Sequence, residues 1–516
     1  MQWAVILLLL GVSFTLWMTV GVLRFAQQYS TSRKRDLADL GRRKLFVTEV
    51  AVVVPAHNEE LTIGATLESA TRLVPAANIH VVADGCDDDT AQIARSYGVN
   101  VLPFSPARGK AAGIEGAVQH FDLCRRFSVL LILDADTQLD ENYIERGLKL
   151  LNDPSFSAVA GYAHTTWQPE QLTMLGRFLV SYRTRLYAVM QWIKYGQTWR
   201  YTNVTPIVPG FASMYRTRAL SQMDLNPPGL VIEDFNMTFE LHHKRLGKVA
   251  FEPSVFGRTQ DPDNLQDYYR QIKRWWLGFW QTIRRHGLWV SWFSAALCLF
   301  LVEVTVASSV LIIIALAVVL LAVDPLSAGR VLQMGWYTSF YSLVSDVLSP
   351  MNLLLFLFVP DYILTCAVAI WLRRPSLLLY GLGFLFIRLL DSTAALWTLQ
   401  QAWRTRSTGR WNSPRRRTVA TSAPSNEVLT ASPAPTASAG DPANAEGPVQ
   451  TIVPASAGRR WSFRAHRPRP VLRDALLVSA LLAGMVWIVL AVIPLTVALT
   501  AGIFFRAAAA GWSHRR

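Results

Sequence analysis

Residues 50–60 read VAVVVPAHNEE. Val50–Val54 is a strand-like apolar run, and Glu59–Thr71 behind it reads as a helix. The alternation continues outward from there. Strands are expected at Ile79–Ala83, Val99–Leu102 and Val129–Leu133, with helices between them at Asp89–Tyr97 and Lys110–His120. Strand and helix in alternation predict an α/β domain with a mostly parallel sheet. Residues 45–260 carry this mixed pattern. Ligands of such sheets bind outside the carboxyl ends of the strands, so chemistry is expected just after each strand.

Both flanks of this domain are apolar. The chain of 516 residues is 51% hydrophobic and 17% charged, against about a quarter charged in a soluble domain. Residues 3–23 hold no charge and are long enough to span a bilayer. Basic residues from Arg24 to Lys44 follow them, which reads as a membrane helix over 1–24 with the next domain in the cytosol. Apolar runs return over 288–403 and 475–505. Taken as 292–323, 342–372, 376–403 and 475–505, they bring the expected spans to five, and splitting 331–372 would make six. Between the last two runs, 404–473 is a linker whose centre, 418–458, is rich in Ala, Pro, Ser and Thr and expected to be disordered. The last membrane helix is expected at 474–506. This organisation predicts a multi-pass protein of the plasma (inner) membrane. The net charge of +14 flanks the apolar runs, which favours membrane lipids over nucleic acid as the partner. Four cysteines, two of them in apolar runs, imply no disulfide framework.

Several polar clusters fall at strand ends or helix starts. Pro55-Ala56-His57-Asn58-Glu59-Glu60 is either a ligand-facing turn or acidic capping of the next helix. Asp84-Gly85-Cys86-Asp87-Asp88-Asp89 lacks the spacing of a calcium loop. It is either a solvated acidic turn or a place where an Asp accepts a hydrogen bond from a base or ribose. Asp134-Ala135-Asp136 is the most telling. Two carboxylates two apart can reach a hard divalent cation and leave its other sites for phosphate oxygens. Acids beside an apolar strand are costly unless paired or metal-bound. Glu233-Asp234 is a helix cap or contains a general base. Arg108-Gly109-Lys110 is not a P-loop, yet it puts a Lys at a helix N-terminus, where a diphosphate could be touched. Residues 261–287 mix Trp and Tyr with Arg and Lys as an interfacial helix does. A mere anchor does not ask for the particular Gln271, Arg274 and Trp275 within it.

In order and spacing these clusters resemble the family 2 glycosyltransferases, specifically the membrane-embedded processive branch of cellulose, chitin, hyaluronan and poly-N-acetylglucosamine synthases. The resemblance covers roughly 45–400. It implies a GT-A nucleotide-sugar-binding fold joined to transmembrane helices. It implies that Asp84 holds the uracil of a UDP-sugar, with Pro55 and Glu59 near the nucleoside, Lys110 near the diphosphate and Asp134 on the donor side. Asp136, helped by Asp134, would bind Mg2+ or Mn2+. Asp234 would be the general base, while Glu233, Gln271, Arg274 and Trp275 would face the acceptor terminus and the diphosphate. Pro209-Gly210-Phe211-Ala212-Ser213 resembles the loop lining the acceptor site. Ile232 stands where the family often has Thr, and Ala83 where it commonly has Asp; neither change removes a catalytic group.

The implied activity is inverting transfer from UDP-N-acetylglucosamine or UDP-glucose to a growing β-linked polysaccharide, coupled to its export, with an export or accessory subunit as a further partner. A non-processive enzyme of the same fold, adding one sugar to a lipid-linked or cell-envelope acceptor, is the alternative. A catalytically inactive scaffold is opposed by the intact Asp134, Asp136, Asp234, Arg274 and Trp275. Glu303, Asp346, Asp361, Arg388 and Asp391 fall inside apolar runs and either line a polar sugar channel or pack within a helix bundle.

Overall fold

The computed structural model describes residues 43–195, 202–327, 329–345, 348–405 and 416–417. The expected spans at 3–23 and 475–505, Asp346, and the 404–473 segment apart from 404, 405, 416 and 417 lie outside the described residues.

Eight strands form one sheet: β1 (Val50–Ala56), β2 (Ile79–Asp84), β3 (Asn100–Phe104), β4 (Val129–Leu133), β5 (Thr137–Leu139), β6 (Phe156–Thr165), β7 (Ala212–Arg216) and β8 (Lys248–Thr259). Their order is β3-β2-β1-β4-β7-β6-β8-β5. The pairs β1–β2, β2–β3, β1–β4 and β6–β8 are parallel, and β4–β7, β6–β7 and β5–β8 are antiparallel. This is an α/β fold with a mixed sheet whose parallel pairs are concentrated in the first four strands.

The central strands are apolar throughout because helices cover both faces. Every residue of β1 and β4 is buried, as near-continuous apolar runs in parallel sheets require. Each fully buried Val, Leu or Ile contributes roughly 1.5–3 kcal/mol relative to exposure. The helices between these strands are α1 (Ile63–Thr71), α2 (Thr90–Ser96) and α3 (Lys110–His120). The helix expected from Glu59 starts later, because Glu59–Thr62 is a turn: the N–H groups of Thr62 and Ile63 both donate to the Glu59 carbonyl. Asn58, at φ 53°, sets the chain into that turn.

Antiparallel β7 shapes the rest. Ala212 at its start pairs with Leu133 at the end of β4, and the Asp134 N–H donates to the Phe211 carbonyl at 2.8 Å. The Pro209–Phe211 stretch is thereby brought to the edge where β1, β2 and β4 end. Later helices are α4 (Tyr143–Leu151), α5 (Met174–Tyr187), α6 (Glu233–His243), α7 (Leu265–His286), α8 (Trp292–Leu326), α9 (Gly335–Val344), α10 (Val359–Leu372) and α11 (Phe384–Arg404). Asn264 caps α7 by accepting from the Asp267 N–H. A Cβ on Gly278 of α7 would lie 2.8 Å from Ile232, so α7 passes directly against the residue that precedes α6.

Among the described residues, α8 with its 35 residues is the one helix long and apolar enough to cross a membrane. The span expected at 342–372 is not a single regular helix. Helix α9 ends at Val344, and helical structure resumes at Pro350, passing through a π-turn at Leu354–Phe358 into α10. The span expected at 376–403 divides into Ser376–Gly381 and α11.

Candidate active site

A cavity of about 380 Å³ opens at the carboxyl edge of the sheet, and its wall includes Lys110, Asp134, Asp136, Glu233, Asp234, Gln271, Arg274 and Trp275. Eight of the residues singled out in the sequence therefore share one space. Pro55, Glu59 and Asp84 do not line it.

Lys110 ties the two acidic motifs together. Its Nζ lies 2.8 Å from Asp134 Oδ1 and 2.8 Å from Glu233 Oε1, and donates to the Gly210 carbonyl at 3.2 Å. Burial alone would lower the pKa of this amine, but Asp134 and Glu233 outweigh it and raise it. Position 210 is tight: a Cβ would come 3.1 Å from Lys110 Nζ and 3.2 Å from Glu233 Oε1, so both side chains would have to shift slightly.

The neighbouring acids of α6 are driven apart. Burial disfavours the Glu233 charge, but Lys110 more than offsets this and holds the carboxyl below its usual range. Asp234 is pushed up to about 7, first by burial and then by the charge of Glu233. Its Oδ2 accepts from the Gly210 N–H at 3.0 Å and its Oδ1 from the Phe235 N–H at 2.7 Å. Two adjacent carboxyls with separated pKa values mark a division between a permanently charged group and one that can exchange a proton near neutrality.

Asp134 and Asp136 fit a divalent cation. Asp136 is 8% exposed, and burial raises its pKa against the opposing charge of Arg416. Among the described residues no group of three or more His, Cys, Asp or Glu is arranged to hold a metal alone. Two carboxylates with phosphate oxygens and water completing the shell is the usual way Mg2+ is held.

On the donor side, Asp84 is fully buried. Its two oxygens accept from the N–H groups of Arg108 and Gly109, each at 2.7 Å, and its carbonyl pairs with His57 Nδ1 at 2.6 Å. It thus holds the loop that leads into Lys110. Pro55 is buried within β1. Glu59, 1% exposed, receives Thr62 Oγ1 at 2.9 Å and the Arg416 guanidinium.

Helix α7 carries Gln271, Arg274 and Trp275 on the opposite wall. Behind them lies Arg183, 0% exposed. Its guanidinium sits 4.4 Å from the Trp275 ring centre and 4.6 Å from that of Tyr268, donates to Gln271 Oε1 at 2.5 Å and stands 3.8 Å from Asp261. Asp261 also lines the cavity; burial pushes it up to about 6, and Tyr187 donates to it at 2.8 Å. Asp391 reaches the cavity too, accepting from Tyr182 and Tyr268, each at 2.7 Å.

Three other charged residues of the apolar runs, Asp361, Arg388 and Glu303, are held in ion pairs. Asp361 holds Arg185 and Arg388, each at 2.6 Å. Glu303 pairs with Lys194 at 2.9 Å. Arg183, Asp261 and Arg416 were not singled out in the sequence. Arg183 and Asp261 belong to no motif, and Arg416 lies in the Arg415-Arg416-Arg417 run, whose only sequence signal is positive charge.

Residues 48–278 match the family described as "Glycosyltransferase like family 2". A "probable glycosyltransferase" of Bacillus subtilis is 25% identical over 242 residues, 44% of this chain and 54% of that protein. A dolichyl-phosphate hexose transferase of Haloferax volcanii is 33% identical over 113 residues, 22% of this chain and 47% of that protein. The chain spans about half the length of these relatives. A solved mannosyltransferase of Pyrobaculum calidifontis, in complex with GDP-Man and Mn2+, aligns with 74% of this chain and 99% of its own, at 15% identity and a TM-score of 0.42.

Proposed function

We propose that this protein is a membrane-bound inverting glycosyltransferase that moves a sugar from a UDP-sugar, UDP-N-acetylglucosamine or UDP-glucose, to the hydroxyl of a growing β-linked polysaccharide. The observation that carries this reading is one cavity whose lining includes Asp134, Asp136, Asp234, Arg274 and Trp275 together. Asp234, raised to about 7, takes the proton of the acceptor hydroxyl. Glu233 stays ionised through Lys110 and keeps the carboxyl beside it basic by charge repulsion. Arg274 meets the leaving diphosphate, and Trp275, backed by Arg183, offers a flat face to the acceptor. Bound Mg2+ or Mn2+ on Asp136 and Asp134 would neutralise diphosphate charge. One displacement inverts the anomeric centre, so an α-linked donor gives a β-linkage. Membrane spans at 1–24, within 288–403 and at 474–506 would keep the 45–260 domain on the cytosolic face, with 404–473 as a tether.

The acceptor side favours a second reading as well. The cavity continues past Trp276, Phe279 and Phe300, an apolar wall that also suits the lipid portion of a lipid-linked acceptor, with a single sugar added. The experiment is UDP release by the full chain in lipid vesicles, with a panel of UDP-sugars and Mg2+ or Mn2+, followed by product sizing. Long chains from one donor support the polymerase. A single sugar on lipid supports the second reading. No release with any donor or lipid acceptor counts against both.

A further inference from the structure

Arg416 bridges two buried acids, Glu59 and Asp136. Its Nε and Nη2 lie 2.9 and 3.0 Å from the Glu59 carboxylate, and its Nη1 lies 2.6 Å from Asp136 Oδ2. Both acids are buried, and their charges need a cation nearby. The planar fork of an arginine can hold two carboxylates at once. Its neighbour is seated independently. The Arg417 N–H donates to Gln260 Oε1 at 3.1 Å and its carbonyl accepts from Gln260 Nε2 at 2.9 Å, while its guanidinium pairs with Asp263 at 2.7 Å. Two consecutive residues are thus fixed to the domain by backbone pairing and by ion pairs, more than a stray surface arginine would show.

We propose that Arg416 is a built-in counter-cation of the donor site, which holds Asp136 and Glu59 and whose positive charge opposes the binding of a divalent cation at Asp136. The proposal rests on the reading of Asp136 as a metal ligand. A guanidinium at Asp136 Oδ2 and a divalent cation on the same carboxylate carry like charges, which repel at that separation. Metal loading and the docking of Arg416 therefore oppose each other. In the absence of metal the site keeps its acids paired and ordered, and its affinity for the bare ion is held down.

The test is Mn2+ binding without nucleotide, read by EPR of the free aquo ion, on the purified full chain in nanodiscs. Salt at about 0.5 M shortens the Debye length to roughly 4 Å and removes the effect of charges not in contact. R416A is expected to bind Mn2+ about tenfold tighter than wild type or better, as release of a buried carboxylate from its partner implies. Q260A keeps both arginine charges but unseats Arg417, and is expected to tighten binding by a smaller factor. R416A/D136N is expected to fall back to wild-type affinity or below. Equal or weaker Mn2+ binding by R416A, with D136N still abolishing it, overturns the counter-cation and leaves the metal site standing. Tight binding that survives in R416A/D136N removes Asp136 as the ligand and the proposal with it.

Discussion

The two halves of the sheet solve the same problem differently. In the half built from β1 to β4, Asp84 is neutralised by main-chain N–H groups of the loop before α3. Where that half meets the one that begins with β7, Asp134 after β4 and Glu233 after β7 share one cation, the side chain of Lys110. Amides held by a local loop are fixed once the loop forms. A shared lysine works only when β4, α3 and α6 are all in place. Acids of the first kind serve to build the site, and those of the second kind make its chemistry depend on the whole fold.

The largest effect that would test this contrast is on Asp234. D234N is expected to lower turnover about 10³-fold, within the range for loss of a general base, with UDP binding unchanged. Wild-type kcat should rise with pH through about 7 as Asp234 ionises. The sign for stability is opposite. A carboxyl that is about 7 when folded and near 3.9 when unfolded binds its proton more tightly in the folded state, so stability falls as pH rises between those values. D234N should therefore have the higher Tm above pH 7 while being the less active protein. A mutant both inactive and less stable at that pH would point to a structural Asp234.

Next is Lys110. K110M removes the cation between two acids, and unpaired buried charge costs about 3–5 kcal/mol. Chemical denaturation should show a loss of that order, and K110M/E233Q should recover part of it. Equal stability in K110M and wild type would mean that the two halves are not joined through this residue.

On the acceptor wall, R183K keeps the charge but loses the planar fork that stacks on Trp275 and reaches Gln271. Acceptor KM is expected to rise about tenfold with donor KM unchanged, consistent with 1–2 kcal/mol for a desolvated cation–π and hydrogen-bond pair. A rise in donor KM instead would move Arg183 to the other half. The smallest effect is expected at Asp84, where D84N keeps one acceptor and loses the charge. Donor KM should rise a few-fold, as for a weakened charge-assisted hydrogen bond of about 1 kcal/mol, with kcat unaffected.

The contrast also explains what could be seen in the chain beforehand. The first four strands and three helices were legible because each is a local pattern: an apolar run, then a turn, then a helix of period 3.6. The largest boundary shift is the start of α1, to Ile63, because Glu59–Thr62 is taken up by a turn; β1, β2, β3 and α2 differ from expectation by one or two residues at their ends. Beyond β4 the register depends on pairing with distant segments. Nothing local in Ala212–Arg216 says that it runs against β4, or that Gly210 lies close against Lys110 and Glu233. In the helical part, charges within apolar runs could be recognised, but their partners could not: Asp361 with Arg185, 176 residues away, and Asp391 with Tyr182, 209 away.

The sequence by itself determined the α/β character of 45–260, the strand-end positions of Asp84, Asp134 and Asp136, and the presence of an acidic pair at Glu233-Asp234. Those follow from the periodicity of neighbouring residues. The tertiary structure alone decided that Lys110 lies between the acids, that Arg183 backs Trp275, and that Arg416 reaches Asp136 and also Glu59, 357 residues away along the chain. Ion pairs and stacking depend on distances of a few ångströms between groups far apart in sequence, and no local pattern records such distances.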